Sequence, residues 1–251
     1  MTLRWDVADG VATVRIDNQA KRNAMNAEMW RALPELLAGF AKDPAVRMLV
    51  LTGAGEHFCA GADISELTDI NKIGEANLSM AAEDALANFP KPTIAAIRGF
   101  CVGGGCQLAA ACDLRIAAPD ARFAITPAKI GIVYPSSAIA RLVGLVGPAS
   151  AKYLLYTADL VPAEHALRIG FLSEIANNLD ERIISLTGTL TSRSQFSLEA
   201  TKDIVNGLAD GTLTRERTRG WLDAEIAGPD APEGIAAFLE RRPPRFTWRR
   251  P

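Results

Sequence analysis

Histidine is nearly missing from this sequence: His57 and His165 stand alone among 251 residues and far apart. Two isolated imidazoles offer no metal-ligand spacing. Cysteine is scarce too. Cys59, Cys101, Cys106 and Cys112 lie in apolar surroundings and none falls in the second half of the chain, a pattern of free buried thiols rather than a disulfide framework. Long apolar runs are absent: no stretch approaches the ~18 uninterrupted residues of a spanning helix. The opening MTLRWDVADGVATVRI has no h-region of a secretory signal. Charge of one sign is not in excess either, with 27 Lys and Arg against 29 Asp and Glu. The only dense cationic run is Arg241 to Arg250, which argues against nucleic acid as the main partner. These absences point to a soluble, reducing, cytoplasmic setting without a membrane or a bound metal.

What is present is a foldable chain, 49% hydrophobic and 22% charged, long enough to bury a large core. VATVRI (Val11 to Ile16) alternates with period two and reads as a strand. Asn26 to Phe40 repeats apolar residues at helical spacing, and Arg47 to Thr52 reads as a buried strand ended by GAGE. A mixed, Ala-rich segment from Ile73 to Asn88 has helical character. TIAAIRG, DLRIAA and RFAIT supply further strands. From Ser136 onward, SSAIARLVGLVGPASAKYLLYT, PAEHALRIG and Asp180 to Asp223 are largely helical. The alternation predicts an α/β core followed by a helical C-terminal part, with no linker and no internal repeat between them.

Two short stretches carry the chemistry. GFCVGGGCQLAAACDL (Gly99 to Leu114) places Gly103, Gly104 and Gly105 where a strand hands over to a helix. Without Cβ atoms a ligand can approach the main chain closely, and the first helical amides lack intrahelical partners at the positive end of the dipole. The glycines do not follow the dinucleotide G-x-G-x-x-G register, since Leu108 stands where the third would be. HFCAGADISEL places a second small-residue run, Ala60-Gly61-Ala62, between a strand and a helix start. Two converging N–H groups are what an oxyanion hole requires; close packing alone accounts for either run taken singly.

FCAGADI, KPTIAAIRGFCVGGGCQLAAACDLRIA and ARFAITPAKIGIVYPSSAIARLVG, in this order, resemble the enoyl-CoA hydratase/isomerase, or crotonase, superfamily. So do AKRNAMN, ALRIGFLSEI and GIAAFLERRPPRF, and the likeness runs from about Asp6 to Phe246. The resemblance implies a single crotonase-like domain: a spiral of ββα repeats over about 1–195 and a helical trimerisation region over about 196–251. It implies a homotrimer or a dimer of trimers. It also implies acyl-CoA substrates in fatty acid metabolism, lyase or isomerase chemistry, and no metal or other cofactor. By position, the N–H groups of Ala62 and Gly104 would hold the thioester carbonyl. Ala60, Ala62, Asp63, Ile64 and Ser65 would line the CoA arm, with Lys21 and Arg22 near its nucleotide end. An exposed basic turn accounts for Lys21 and Arg22 equally well, and Asp63 could equally cap the helix that follows it.

One departure matters. Hydratases of this family carry two glutamates. Here Gln107 stands at the first position, and Pro127, counted from Phe123 and Gly131, at the second. An amide and a proline cannot exchange protons near neutral pH, so hydration by the usual route is not expected. Tyr134, in TPAKIGIVYPSS, locally resembles a tyrosine of the methylmalonyl-CoA decarboxylase branch. That suggests enolate chemistry following CO₂ loss from a carboxyacyl-CoA, against a tyrosine that merely hydrogen-bonds the backbone. A catalytically silent acyl-CoA binder is the remaining alternative. Glu66 and Asp69 read as solvent-facing. Ser136 and Ser137 have no histidine near them in sequence, and Cys59 and Cys106 read as apolar packing.

Overall fold

The computed structural model describes residues 2–70 and 77–250. Among them are nine strands: β1 (Thr2–Ala8), β2 (Val11–Asp17), β3 (Met48–Gly53), β4 (Thr93–Ile97), β5 (Phe100–Val102), β6 (Leu114–Ala117), β7 (Arg122–Ala124), β8 (Val161–Pro162) and β9 (Glu174–Ile175). They form a six-stranded sheet in the order β1-β2-β3-β4-β6-β9 and a three-stranded sheet β5-β7-β8. The large sheet is parallel from β2 to β9, and β1 joins its edge antiparallel.

Helices cover both faces: α1 (Ala27–Lys42), α2 (Leu67–Ile70), α3 (Leu78–Ala87), α4 (Gly104–Ala111), α5 (Pro127–Ile130), α6 (Ser136–Thr157), α7 (Ala163–Arg168), α8 (Leu179–Thr191), α9 (Gln195–Ala209), α10 (Arg215–Ala227) and α11 (Asp230–Leu239). Two strands followed by a helix recur as β1-β2-α1, β4-β5-α4 and β6-β7-α5. In the last two units the first strand enters the large sheet and the second the small one, so the chain winds between sheets as the expected α/β spiral does.

Period two sorts the core. Leu49, Leu51, Ala95 and Ile97 face the main cluster with Trp30, Leu33 and Leu86. Met48, Val50, Ile94, Ala96 and Ile116 face a second cluster that Leu179 and Ile183 of α8 cover. Strands buried on both faces read as continuous apolar runs, which is why MLVLT and TIAAI are legible. β1 is not: TLRWDVA is mostly exposed and shows no clean alternation. Its signal is the following Asp9-Gly10, both at positive φ, a two-residue hairpin turn.

Of the segment Ile73 to Asn88, residues 73–76 lie outside the described residues; α3 begins at Leu78, capped by the Asn77 side chain. α6 is long and apolar enough by length and composition to cross a membrane. Gly147, at φ 73° and ψ 164° before Pro148, breaks it into two shorter helices.

Candidate active site

The segment Phe58 to Asp63 is pinned from both sides. Met25 receives from Asp63 N and donates to Gly61 O, both at 2.8 Å, while Cys59 exchanges bonds with Phe100 and Val102 at 2.9 Å. The alternation that makes these bonds turns the intervening Ala62 N–H away. Gly103, at φ 54° and ψ −114°, bends the chain out of β5 in a conformation that side chains strongly disfavour, and α4 starts immediately. A methyl at Gly104 would sit 2.9 Å from Cζ2 of the buried Trp30 and 3.3 Å from the Ala62 nitrogen. At Gly105 it would collide with the Cys59 carbonyl oxygen at 2.3 Å. The glycine run therefore brings two main-chain amides side by side. Neither the Ala62 nor the Gly104 N–H finds an acceptor among the described residues, and Gly104 lies at the positive end of the α4 dipole.

One turn along α4, the buried Gln107 donates through Nε2 to Glu83 Oε2 at 2.8 Å and to the Ser79 carbonyl at 3.3 Å. Sequence reasoning missed Glu83. It is fully buried and also accepts from Ser137 Oγ at 3.0 Å and from Arg141, whose other nitrogen bonds Asp84 at 2.8 Å. Burial opposes the Arg141 charge, but its bonds to Asp84 and Glu83 outweigh that and hold its pKa above the ordinary value. The signal for Glu83 lay in its helix. Ser79, Ala82, Glu83 and Leu86 form the buried stripe of α3, so an acid occupies an inward position. Ser137 and Arg141, four apart on α6, share the face that meets it. Ser137 thus has a carboxylate partner where the sequence offered no histidine.

Tyr134 is buried and its hydroxyl donates to the Gly103 carbonyl at 2.9 Å, the backbone bond that was the plainer of its two readings. Burial pushes the phenol well above its usual pKa, so it stands here as a neutral donor. Pro127 occupies the first position of α5 and is buried, a site where its missing N–H is not needed.

On the other side of the small-residue turn, Lys21 Nζ pairs with Asp63 at 2.5 Å. That bond, assisted by Ser65, holds the Asp63 carboxyl below the usual carboxylate range. Asp63 also caps the short 3₁₀ turn Ile64–Glu66 by accepting from Ser65 N. Arg22 lies 4.8 Å over the Phe100 ring, Ala60 N bonds Arg22 O, and Ile64 is exposed. Glu66 corrects the sequence reading: it accepts from Ala27 N at 2.8 Å and caps α1 instead of facing solvent. All four cysteines are buried and free, and burial raises Cys59 and Cys112 to about 12. Among the described residues no cluster of His, Cys, Asp or Glu is built to hold a metal. A cavity of about 230 Å³ opens elsewhere, between the end of α1 and the C-terminal tail; its lining includes Lys91 and Glu199 but neither Gly104 nor Gln107.

The sequence profile of the enoyl-CoA hydratase/isomerase family matches residues 6–249. A crotonyl-CoA hydratase of Syntrophomonas wolfei is 32% identical over 247 residues, covering 94% of each chain. An (E)-benzylidenesuccinyl-CoA hydratase of Thauera aromatica is 34% identical, covering 98% of this chain and 99% of that one. The crystal structure of an enoyl-CoA hydratase/isomerase family member superposes with a TM-score of 0.95 at 39% identity, over 100% of this chain and 98% of the other. With the profile and these relatives matching nearly end to end, the chain belongs to the enoyl-CoA hydratase/isomerase family, within the crotonase superfamily.

Proposed function

We propose that the protein is an enzyme of acyl-CoA thioesters, a lyase or isomerase, that stabilises a thioester enolate between the N–H groups of Ala62 and Gly104. The observation that carries this reading is the pair of adjacent main-chain amides without acceptors. When a thioester becomes an enolate its oxygen gains negative charge, and one preorganised donor in such a hole is worth about 3–4 kcal/mol. The turn of Ala60, Asp63, Ile64 and Ser65, with Lys21 and Arg22 beside it, is the surface offered to the CoA arm. No further cofactor is required, because a carbanion beside a thioester needs only the hole and a proton acceptor.

Conventional hydration is not part of the proposal, because Gln107 and Pro127 cannot activate water. Decarboxylation through Tyr134 is not favoured: its hydroxyl is engaged by Gly103 O. In addition, the one guanidinium of the neighbouring cluster, Arg141, is already bonded to Glu83 and Asp84, leaving little charge for a substrate carboxylate. The exposed Leu222, Ile226, Ile235, Phe238 and Leu239 of α10 and α11 support a trimer or a dimer of trimers, built on the helical region from about 196 and working in the cytoplasm. Butyryl-CoA tests the reading by thermal denaturation. Saturating ligand should raise the melting temperature, since whatever binds only the native state stabilises it. No shift at any concentration would leave a scaffold role and reject an acyl-CoA site.

A further inference from the structure

We infer that Glu83 is the proton-transfer carboxylate of this site, delivered from α3 to the place where α4 offers only an amide. The inference rests on the acyl-CoA reading above. Glu83 sits on the buried stripe of α3 with Ser79, Ala82 and Leu86, where an apolar residue would pack without the desolvation cost of a carboxylate. Its oxygens are instead met by the Gln107 amide, the Ser137 hydroxyl and the Arg141 guanidinium. The amide N–H and the guanidinium can only donate, so both bonds are made by a carboxylate that accepts. Gln107 follows Gly104 by three residues and shares its face of α4. Glu83 therefore ends one hydrogen bond away from the side chain that flanks the oxyanion donors.

The step needs one carboxylate and no co-reactant. Glu83 takes a proton from the carbon beside the thioester carbonyl; the C–H electron pair forms the enolate double bond, and the carbonyl π pair moves to oxygen, facing Ala62 and Gly104. Return of the proton to the same carbon, or to the far end of a conjugated system, regenerates the thioester. The class of reaction is a proton shift along the acyl chain. Ser137 and Arg141 position the carboxylate, and Gln107 holds it toward the hole.

Butyryl-CoA in D₂O reads this step directly, because exchange of its α-protons reports proton removal without net reaction. Wild-type protein should exchange them, followed by NMR or mass spectrometry. Glu83→Gln should slow exchange by at least ~10²-fold, the usual contribution of an acid–base group, while butyryl-CoA still raises its melting temperature. Glu83→Asp keeps the carboxylate but withdraws it by one methylene, so its rate should fall between the two; it carries the test if the Gln variant does not fold. Wild-type exchange in either variant, or no exchange by wild-type protein that binds butyryl-CoA, overturns the role of Glu83. Failure of wild-type protein to bind butyryl-CoA instead overturns the acyl-CoA reading, and this role with it.

Discussion

The two halves of the site are built from different materials. The donor half, Ala62 and Gly104, is main chain, fixed by strand-like pairing of residues 58–63 and by the start of α4. The acid–base half, Gln107 with Glu83, Ser137 and Arg141, is side chain, gathered from α3, α4 and α6. A backbone oxyanion hole depends on small residues and survives changes in neighbouring side chains. A proton-transfer group is a single side chain, and it can move to another helix while the hole stays in place. One fold can in this way keep its enolate-stabilising half and alter the reaction at the other.

That contrast can be broken from the donor side with the largest effect. Gly104→Ala puts a methyl against Trp30 and the Ala62 nitrogen, so α-proton exchange of butyryl-CoA should fall by ~10²–10³-fold, as for loss of an oxyanion donor. Retention of the wild-type exchange rate by a folded variant would remove the hole from the mechanism.

The smallest effect is expected at the edge of the site, from Lys21→Met. In the folded protein the Lys21 hydrogen bond depresses the Asp63 pKa. Its stabilising contribution is therefore complete above the ordinary carboxylate range and lost as pH falls through the lowered folded value. Wild-type and variant melting temperatures should differ slightly at neutral pH, as for a pair whose lysine is half exposed, and converge in acid. A gap that persists unchanged into acid would mean that Lys21 acts through packing rather than through Asp63.

The same division explains what could be read from the sequence. Gly103 to Gly105 are legible because each answers a local demand: a positive φ, a narrow space beside Trp30, a close approach to Cys59. The strands MLVLT and TIAAI are legible because both of their faces are buried. Glu83 is different. In MAAEDALA an acid looks like one residue of an amphipathic helix, and only the packing of α3 against α4 and α6 turns it toward Gln107. Glu66 misled for the same reason, since its partner, Ala27 N, lies 39 residues away. Residues whose role is set by their own backbone are visible in one dimension; those defined by a distant partner are not.

The most direct test is wild-type protein with crotonyl-CoA, following the absorbance of the conjugated thioester. With Gln107 and Pro127 in place of two carboxylates, the absorbance should persist at close to the rate without protein, because two acid–base groups that typically supply ~10²–10⁴-fold each are missing. Loss of the absorbance by hydration at the ~10 s⁻¹ of an ordinary enzyme would contradict this division of the site, showing that hydration proceeds here without the two usual carboxylates.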